Sequence, residues 1–182
     1  MAVDAGWDAY SYDTSPQATA AARERIGPRA LVEAAASGFD VVTLWCVIAH
    51  VPDPGHLLDS VHEALRDGGT LWLTTPNFAF QRRYARLLAL AGRPLVFGWG
   101  DDHLWHFNAA SLRLLLQAHG FRHVRFHYRG VIEWCATGHS GSRLLIAGKR
   151  AWNAAVYAGY RIGMPLATSE LQVTARLDGK HP

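Results

Sequence analysis

Residues 39–54, FDVVTLWCVIAHVPDP, decide the fold class. Residues 39–48 form a near-continuous apolar run rich in β-branched side chains, which is typical of a parallel strand buried on both faces of a sheet. Asp53 can then cap a helix and Pro54 suits its first turn, and apolar side chains recur at helical spacing as far as Leu65. The stretch therefore predicts a buried strand followed by an amphipathic helix.

A second buried strand follows that helix. Asp67-Gly68-Gly69 predicts the end of the helix, and residues 70–75, TLWLTT, read as a short apolar strand that Pro76-Asn77 closes. Two strands joined by one helix indicate a parallel, right-handed crossover, and such units build α/β layer folds. We therefore expect a doubly wound, mostly parallel sheet.

The flanking sequence extends this pattern in both directions. Upstream, residues 6–13 predict a short strand, and Ser15-Pro16 predicts the start of a helix that ends at Gly27. Residues 27–37 fit either a second helix or a strand. Downstream, the expected elements are a helix over 81–90, a turn-rich loop over 97–102, a helix from Asn108 to Gly120, a strand over 121–128 and a helix within 142–160. Residues 170–177 alternate apolar and polar side chains, which predicts an antiparallel strand near the sheet edge with one wetter face.

Length and composition limit the function classes. The chain has 182 residues, enough for one domain, with 49% hydrophobic residues and a net charge of +3, which excludes pervasive disorder. The basic residues form no long run, so nucleic-acid binding is not predicted. Cys46 and Cys135 fit no paired motif, so a reduced, cytoplasmic setting is expected. The N-terminal residues lack the apolar core of a signal peptide, and no apolar run is long enough to span a bilayer.

Asp13 and His50 are candidates for chemistry because both follow predicted strands, where ligands bind in open α/β sheets. The Asp13 carboxylate can accept hydrogen bonds from the two hydroxyls of a ribose; alternatively, it is a turn residue that ends a strand. His50 can take a proton from a substrate hydroxyl; alternatively, a backbone carbonyl satisfies its ring.

No metal site and no covalent nucleophile is predicted. His103 and His106, like His123 and His127, are spaced like ligand pairs, but no Cys or carboxylate stands beside them at zinc-type spacing. The sequence also lacks the G-x-S-x-G elbow of a serine nucleophile and a Walker-type phosphate loop.

Two further features have both a structural and a functional interpretation. The arginines of the helix over 81–90 either face solvent or approach an anionic substrate or a membrane surface. The aromatic side chains between Phe97 and Phe107 either fill the core or line a pocket. In both cases the structural interpretation is the simpler one.

The ordered motifs resemble the class I S-adenosylmethionine-dependent methyltransferases. The matching segments, in chain order, are residues 6–16 (GWDAYSYDTSP), 39–42 (FDVV), 44–54 (LWCVIAHVPDP), 65–71 (LRDGGTL), 75–77 (TPN) and 103–108 (HLWHFN). The last two segments are similar to a small-molecule methyltransferase subgroup. The resemblance implies a Rossmann-like, seven-stranded sheet with an antiparallel last strand, S-adenosylmethionine as cofactor and a small-molecule acceptor.

The same resemblance implies roles for individual residues. Asp13 stands where the family has its ribose-binding acid, and Leu44 and Trp45 stand in the segment expected to bind the cofactor. The sulfonium methyl is already activated, so its transfer needs mainly positioning. A base is needed only when the acceptor nucleophile carries a proton. The candidate bases are His50, His103 and His106.

The sequence departs from the family pattern on the cofactor side. In nucleotide-binding α/β folds the glycine-rich loop precedes the ribose acid by roughly 20 residues, but Asp13 has only twelve residues before it. We therefore expect the loop and the family's first strand to be missing from these 182 residues. Residues 27–38 offer only Glu33 as an adenine-contacting acid, and Ala49 replaces the family's Glu before His50. We expect the chain to bind S-adenosylmethionine weakly or not at all, either because the true start lies upstream or because this is a decayed copy.

We expect residues 1–182 to form a single methyltransferase-like domain, with residues 78–108 as an insertion or lid over the substrate side. The expected function is S-adenosylmethionine-dependent methyl transfer to a small-molecule acceptor, impaired or absent in this chain. There are two alternatives. One is a non-catalytic interaction module that uses the Trp-rich surface or the arginine helix, and the other is a nucleotide-dependent oxidoreductase.

Overall fold

The computed structural model describes residues 2–31, 37–90, 92, 103–127, 154–155, 158 and 170–178. The chain divides into two units, Met1–Ser37 and Gly38–Pro182. The smaller unit contains β1 (Ser11–Tyr12), α1 (Pro16–Ile26) and β2 (Ala30–Leu31). The larger unit contains β3 (Phe39–Trp45), α2 (Pro54–Ala64), β4 (Leu65–Pro76), α3 (Phe78–Leu90), α4 (Ala109–Ala118), β5 (Phe121–His127) and β6 (Glu170–Leu177).

The helix of the smaller unit has the caps that the sequence predicts. The Ser15 hydroxyl accepts a hydrogen bond from the Ala18 N–H at 3.3 Å, which satisfies one of the free donors in the first turn of α1. The helix ends at Gly27, whose φ of +61° lies in the region that favours glycine. Both predicted ends of α1 are therefore confirmed.

The strands of the smaller unit are short. Only Ser11–Tyr12 of the strand predicted over residues 6–13 pairs with a neighbour, and it pairs in parallel with β2. The stretch 27–37, which fits a helix or a strand, supplies β2 at Ala30–Leu31. Residues 32–36 lie outside the described part of the chain.

Four strands of the larger unit form one sheet in the order β3-β4-β6-β5. β3 and β4 are parallel and are joined through α2, which confirms the predicted parallel strand-helix-strand unit. β6 is antiparallel to both β4 and β5, as the family resemblance implies. The antiparallel strand predicted near the sheet edge over residues 170–177 is confirmed, since β6 lies directly beside β5, the last strand of the described sheet. β6 is not itself an edge strand, because it pairs with β4 on its other side. The alternation of apolar and polar side chains indicates which of them face the core. It does not indicate whether the strand pairs with one neighbouring strand or with two.

The hydrophobic core lies on one face of this sheet, where α2 and α4 cover it. It includes Leu58 of α2, Leu116 of α4 and Leu73 of β4, all fully buried. Burying a side chain of this size contributes roughly 1.5–3 kcal/mol, so these contacts hold the helices on the sheet. Within β3 only Leu44 is buried. The prediction that this strand is buried on both faces is therefore wrong, since Asp40, Val41, Thr43 and Trp45 are exposed and Val42 packs only partly buried against the core.

The turn that leads into β4 differs from the predicted one. α2 already ends at Ala64, and β4 begins at Leu65. Asp67-Gly68-Gly69 therefore lies within β4, where the pairing with β3 is irregular and Gly68 has a φ of +69°. These glycines allow a bulge in the strand and do not end the helix.

The remaining described elements agree with the sequence. α3 contains the predicted residues 81–90. The Asn108 Oδ1 caps α4 by accepting hydrogen bonds from Ala110 and Ser111 N–H at 2.9 and 3.0 Å. The loop over 97–102 lies outside the described residues, as do most of the helix expected within 142–160 and the middle of the insertion expected over 78–108. Among the helices that the structure describes, none is long and apolar enough to cross a membrane.

Candidate functional site

The last two residues of β3, Leu44 and Trp45, differ in their exposure to solvent. Leu44 is only 8% exposed and belongs to the core. Trp45 is 55% exposed, and its ring lies against Trp72 with the centroids 4.3 Å apart. Of these two residues expected to bind the cofactor, Leu44 and Trp45, only Trp45 offers its side chain to a ligand, and the third expected residue, Asp13, lies in the smaller unit. Leu44 can contact the cofactor only through its backbone atoms.

Cys46 bends the chain out of β3. Its φ of +54° is uncommon for a residue other than glycine, and its N–H donates a hydrogen bond to the Thr74 hydroxyl at 3.1 Å. Burial raises the pKa of the Cys46 thiol, so the group stays protonated at neutral pH and is a poor nucleophile. Thr74 holds this bend, although nothing in the sequence singles it out except a hydroxyl in an apolar strand.

His50 lies in the turn beyond this bend. Ile48 and Ala49 are fully buried just before it, and the His50 N–H donates to the Val47 carbonyl at 2.9 Å. The His50 ring lies beside the His103 ring, with the centroids 4.4 Å apart and the planes inclined at 37°. The structure therefore brings together two of the three candidate bases.

Three hydrogen bonds attach the segment after His103 to the same turn. The Ala49 carbonyl accepts from the N–H groups of Leu104 and Trp105 at 2.8 and 3.1 Å. The Trp105 indole Nε1 donates to the Val51 carbonyl at 3.0 Å. The contact between the two histidine rings is thus supported by backbone groups and does not depend on the rings alone.

His106 connects the same segment to the end of the neighbouring strand. Its ring stacks on Phe78, with centroids 4.9 Å apart and planes inclined at 22°. The Phe78 N–H donates to the Phe107 carbonyl at 2.9 Å. Phe78 begins α3 just after the buried Asn77, whose Oδ1 accepts from the Ala79 N–H at 3.2 Å. The sequence does not single out Asn77 or Phe78, although the first belongs to the Thr-Pro-Asn motif.

Residues 103–107 therefore join the turns that follow β3 and β4. Both turns lie at the carboxyl ends of parallel strands, where ligands bind in open α/β sheets. The segment places three imidazoles, Phe78 and the half-exposed Trp105 along this edge. Such a surface can position a small, partly apolar molecule and can accept a proton from it.

Asp13 lies in the smaller unit, just after β1. Its Oδ1 accepts a hydrogen bond from the Ser15 N–H at 2.8 Å, and its carbonyl accepts one from the Thr19 hydroxyl at 3.0 Å. These bonds confirm that Asp13 is a turn residue. Its carboxylate is exposed and has further lone pairs, so a ribose can still reach it.

The second pair of histidines with ligand-like spacing, His123 and His127, lies on β5. The His127 Nε2 lies 2.6 Å from the Thr174 hydroxyl, and His123 is exposed on β5. Within the described residues, no group of three His, Cys, Asp or Glu side chains is placed to hold a metal ion.

The sequence matches a family model over more than half of its length. The model is described as a methyltransferase domain, and it covers residues 1–125. The chain belongs to this methyltransferase family. The matched residues include β1, the turn with His50 and the segment 103–107. The resemblance to class I S-adenosylmethionine-dependent methyltransferases is therefore confirmed.

Solved structures of methyltransferases share the fold. A SAM-dependent methyltransferase from Archaeoglobus fulgidus aligns with a TM-score of 0.58 and 15% identity, over 96% of this chain and 78% of that one. A SAM-dependent methyltransferase from Thermotoga maritima aligns with a TM-score of 0.55 and 14% identity, over 96% and 75% of the two chains. These likenesses confirm the Rossmann-like methyltransferase fold.

Other relatives are much longer than this methyltransferase domain. The CurJ carbon methyltransferase aligns with a TM-score of 0.51 and 13% identity, over 92% of this chain but only 41% of that one. The domain spans 30% of the human N-acetylserotonin methyltransferase chain. No curated protein matches the sequence.

Proposed function

We propose that this methyltransferase domain transfers the methyl group of S-adenosylmethionine to a small-molecule acceptor at the carboxyl edge of β3 and β4. The observation that carries the proposal is the contact between the rings of His50 and His103. Two candidate bases from distant parts of the chain meet at the edge where this fold binds its ligands.

Each histidine has its own role in the proposal. Bound S-adenosylmethionine supplies a methyl group that is already activated for transfer. His50 takes the proton of an acceptor hydroxyl, because it lies in the turn directly after β3 and the buried Ala49 fixes its backbone. His103 holds the His50 ring in place through their contact. His106 is exposed on the Phe78 ring and contacts the acceptor.

The described residues supply only part of a binding site for S-adenosylmethionine. In the larger unit Trp45 offers an exposed ring, whereas the Leu44 side chain is unavailable in the core. In the smaller unit Asp13 offers an exposed carboxylate that suits ribose hydroxyls. We therefore propose that these groups by themselves bind S-adenosylmethionine weakly.

Titration calorimetry tests the binding of S-adenosylmethionine, and product mass spectrometry separately tests the transfer of its methyl group. Calorimetry with S-adenosylmethionine is expected to show a dissociation constant weaker than micromolar, and a micromolar value would overturn the weak-binding part. Transfer is then measured at saturating S-adenosylmethionine against a panel of hydroxylated metabolites. His50→Gln is expected to lower kcat by roughly 10²–10⁴-fold, the range for loss of a general base.

The control variant is His123→Asn. His123 is exposed on β5 with a φ of +50°, which Asn tolerates, so this change is expected to leave transfer unaltered. Equal activity of His50→Gln and His123→Asn would remove His50 from the mechanism. Absence of transfer to every acceptor would favour the non-catalytic interaction module.

A further inference from the structure

α3 carries its charged residues on one side. At 3.6 residues per turn, six positions of α3 fall within an arc of about 120°. Five of them are exposed, namely Ala89, Arg82, Arg86, Leu90 and Arg83, and the sixth, Ala79 in the first turn, is half-buried. Ala85 lies outside this arc and is buried. We call the exposed arc the arginine face of α3.

The three cations of the arginine face have no ion-pair partner among the described residues. α3 contains no acidic residue. Arg82 and Arg86 are four residues apart, a spacing at which like charges weaken a helix. By contrast, Arg113 on α4 donates to the Val124 carbonyl at 2.8 Å and covers the Phe126 ring. A contribution to helix stability therefore does not explain why α3 carries three exposed arginines.

Exposed apolar side chains lie at both ends of this face. Leu90 is 86% exposed on the same arc. At the other end, Leu104 and Trp105 are 57% and 43% exposed, and they directly precede His106, whose ring stacks on Phe78 at the start of α3. Arginine flanked by exposed Leu and Trp is the combination that binds the interface of a lipid bilayer.

We propose that the arginine face of α3, with Leu104 and Trp105, docks the domain on a surface of anionic phospholipid. The side of a helix is convex, whereas a small anion needs a concave site that surrounds it. A plane of headgroups meets all three guanidinium groups at once. The exposed Leu and Trp side chains also leave water at such a surface, a gain that a nucleic-acid backbone does not provide. Docking in this way places the edge with His50 and His103 close to the bilayer.

Vesicle co-sedimentation tests the proposal without cofactor or acceptor, so its outcome is independent of methyl transfer. The whole chain is mixed with phosphatidylcholine vesicles, or with vesicles containing about one third phosphatidylglycerol. Binding is expected only to the anionic vesicles and is expected to weaken as salt is raised. The double variant Arg82→Gln, Arg86→Gln is expected to bind roughly 30-fold more weakly, since each cation near the surface contributes about fivefold.

The matched control is Arg23→Gln, Arg25→Gln on α1, which removes the same charge from another exposed helix and is expected to leave binding unaltered. Leu90→Ser is expected to weaken binding with no change in charge. Equal binding by the two double variants, or no binding to anionic vesicles, would overturn the proposal. Tighter binding to a single-stranded oligodeoxythymidine that is lost in Arg82→Gln, Arg86→Gln would assign the face to nucleic acid and would overturn it as well.

Discussion

The rings of His50 and His103 lie with their centroids 4.4 Å apart, although they belong to segments that α2, β4 and α3 separate along the chain. The contact connects the turn after β3 to residues 103–107, and the Ala49 carbonyl supports it with two hydrogen bonds. It is a long-range link at the edge where the methyltransferase fold binds its ligands.

This contact is expected to contribute measurably to stability. In a double-mutant cycle of His50→Ala and His103→Ala, urea unfolding is expected to give a coupling free energy of about 0.5–1.5 kcal/mol, the range for paired rings. The pair His50→Ala and His123→Ala, which share no contact, serves as the comparison and is expected to be additive. A coupling of zero between His50 and His103 would mean that the rings do not support each other.

Thr74 is expected to be needed for the bend at Cys46. Thr74→Val removes the acceptor of the Cys46 N–H, which is expected to lower the free energy of unfolding by roughly 1–3 kcal/mol, whereas Thr74→Ser keeps the hydroxyl. The Thr74 hydrogen bond also lowers the thiol pKa against the larger effect of burial. Alkylation of Cys46 at mildly alkaline pH, measured in a Cys135→Ser background, is therefore expected to slow in Thr74→Val. An unchanged alkylation rate would count against this role of the hydroxyl.

The cap of α2 is expected to respond to pH. The His56 N–H donates to the Asp53 carboxylate at 3.0 Å and holds its pKa below the ordinary value. A lowered carboxyl pKa stabilises the folded state above the ordinary value of about 3.9, and this stabilisation is lost as the pH falls through the lower, folded value. Asp53→Ala is therefore expected to lower Tm at pH 7, with a deficit that shrinks in acid. In Asp53→Asn, which keeps a neutral cap, the pH-dependent part is expected to be absent.

Two leucines on α4 provide a matched test of the core. Leu116 is fully buried, whereas Leu114 is 67% exposed. Leu116→Ala is expected to cost about 2–5 kcal/mol in unfolding by denaturant, and Leu114→Ala less than about 0.5 kcal/mol. Similar losses in both variants would contradict the orientation of α4 on the sheet.

Local signals account for what could be predicted from the sequence. Ser15, Asp53 and Asn108 cap helices where they were expected to, because a cap depends on residues within one turn. The neighbours of a strand are not a local property. Whether β6 lies at an edge or between two strands depends on pairing with residues far away in the chain, and the alternation of its side chains is the same in both positions.

The sequence predicts which residues belong to the candidate site, but it does not predict how their side chains are arranged. His50, His103 and His106 were all expected at the substrate side, yet their spacing could not show that the first two touch while the third stacks on Phe78. Leu44 is expected to bind the cofactor because it stands in a segment that resembles the family's, but its apolar side chain places it in the core. Thr74 was missed because its hydrogen bond crosses from one strand to the next.

The interior position of β6 has a consequence for the synthesis of the protein. β4 ends at Pro76 and β5 at His127, but the strand that lies between them begins only at Glu170. At about 5–20 residues per second, the ribosome needs on the order of 5–20 s to pass from β4 to β6. During that time the edge of β4 that later pairs with β6 is open to other chains. The sheet that carries the proposed acceptor site can therefore close only late in translation, and a factor that protects the nascent domain is expected to act on β4 until then.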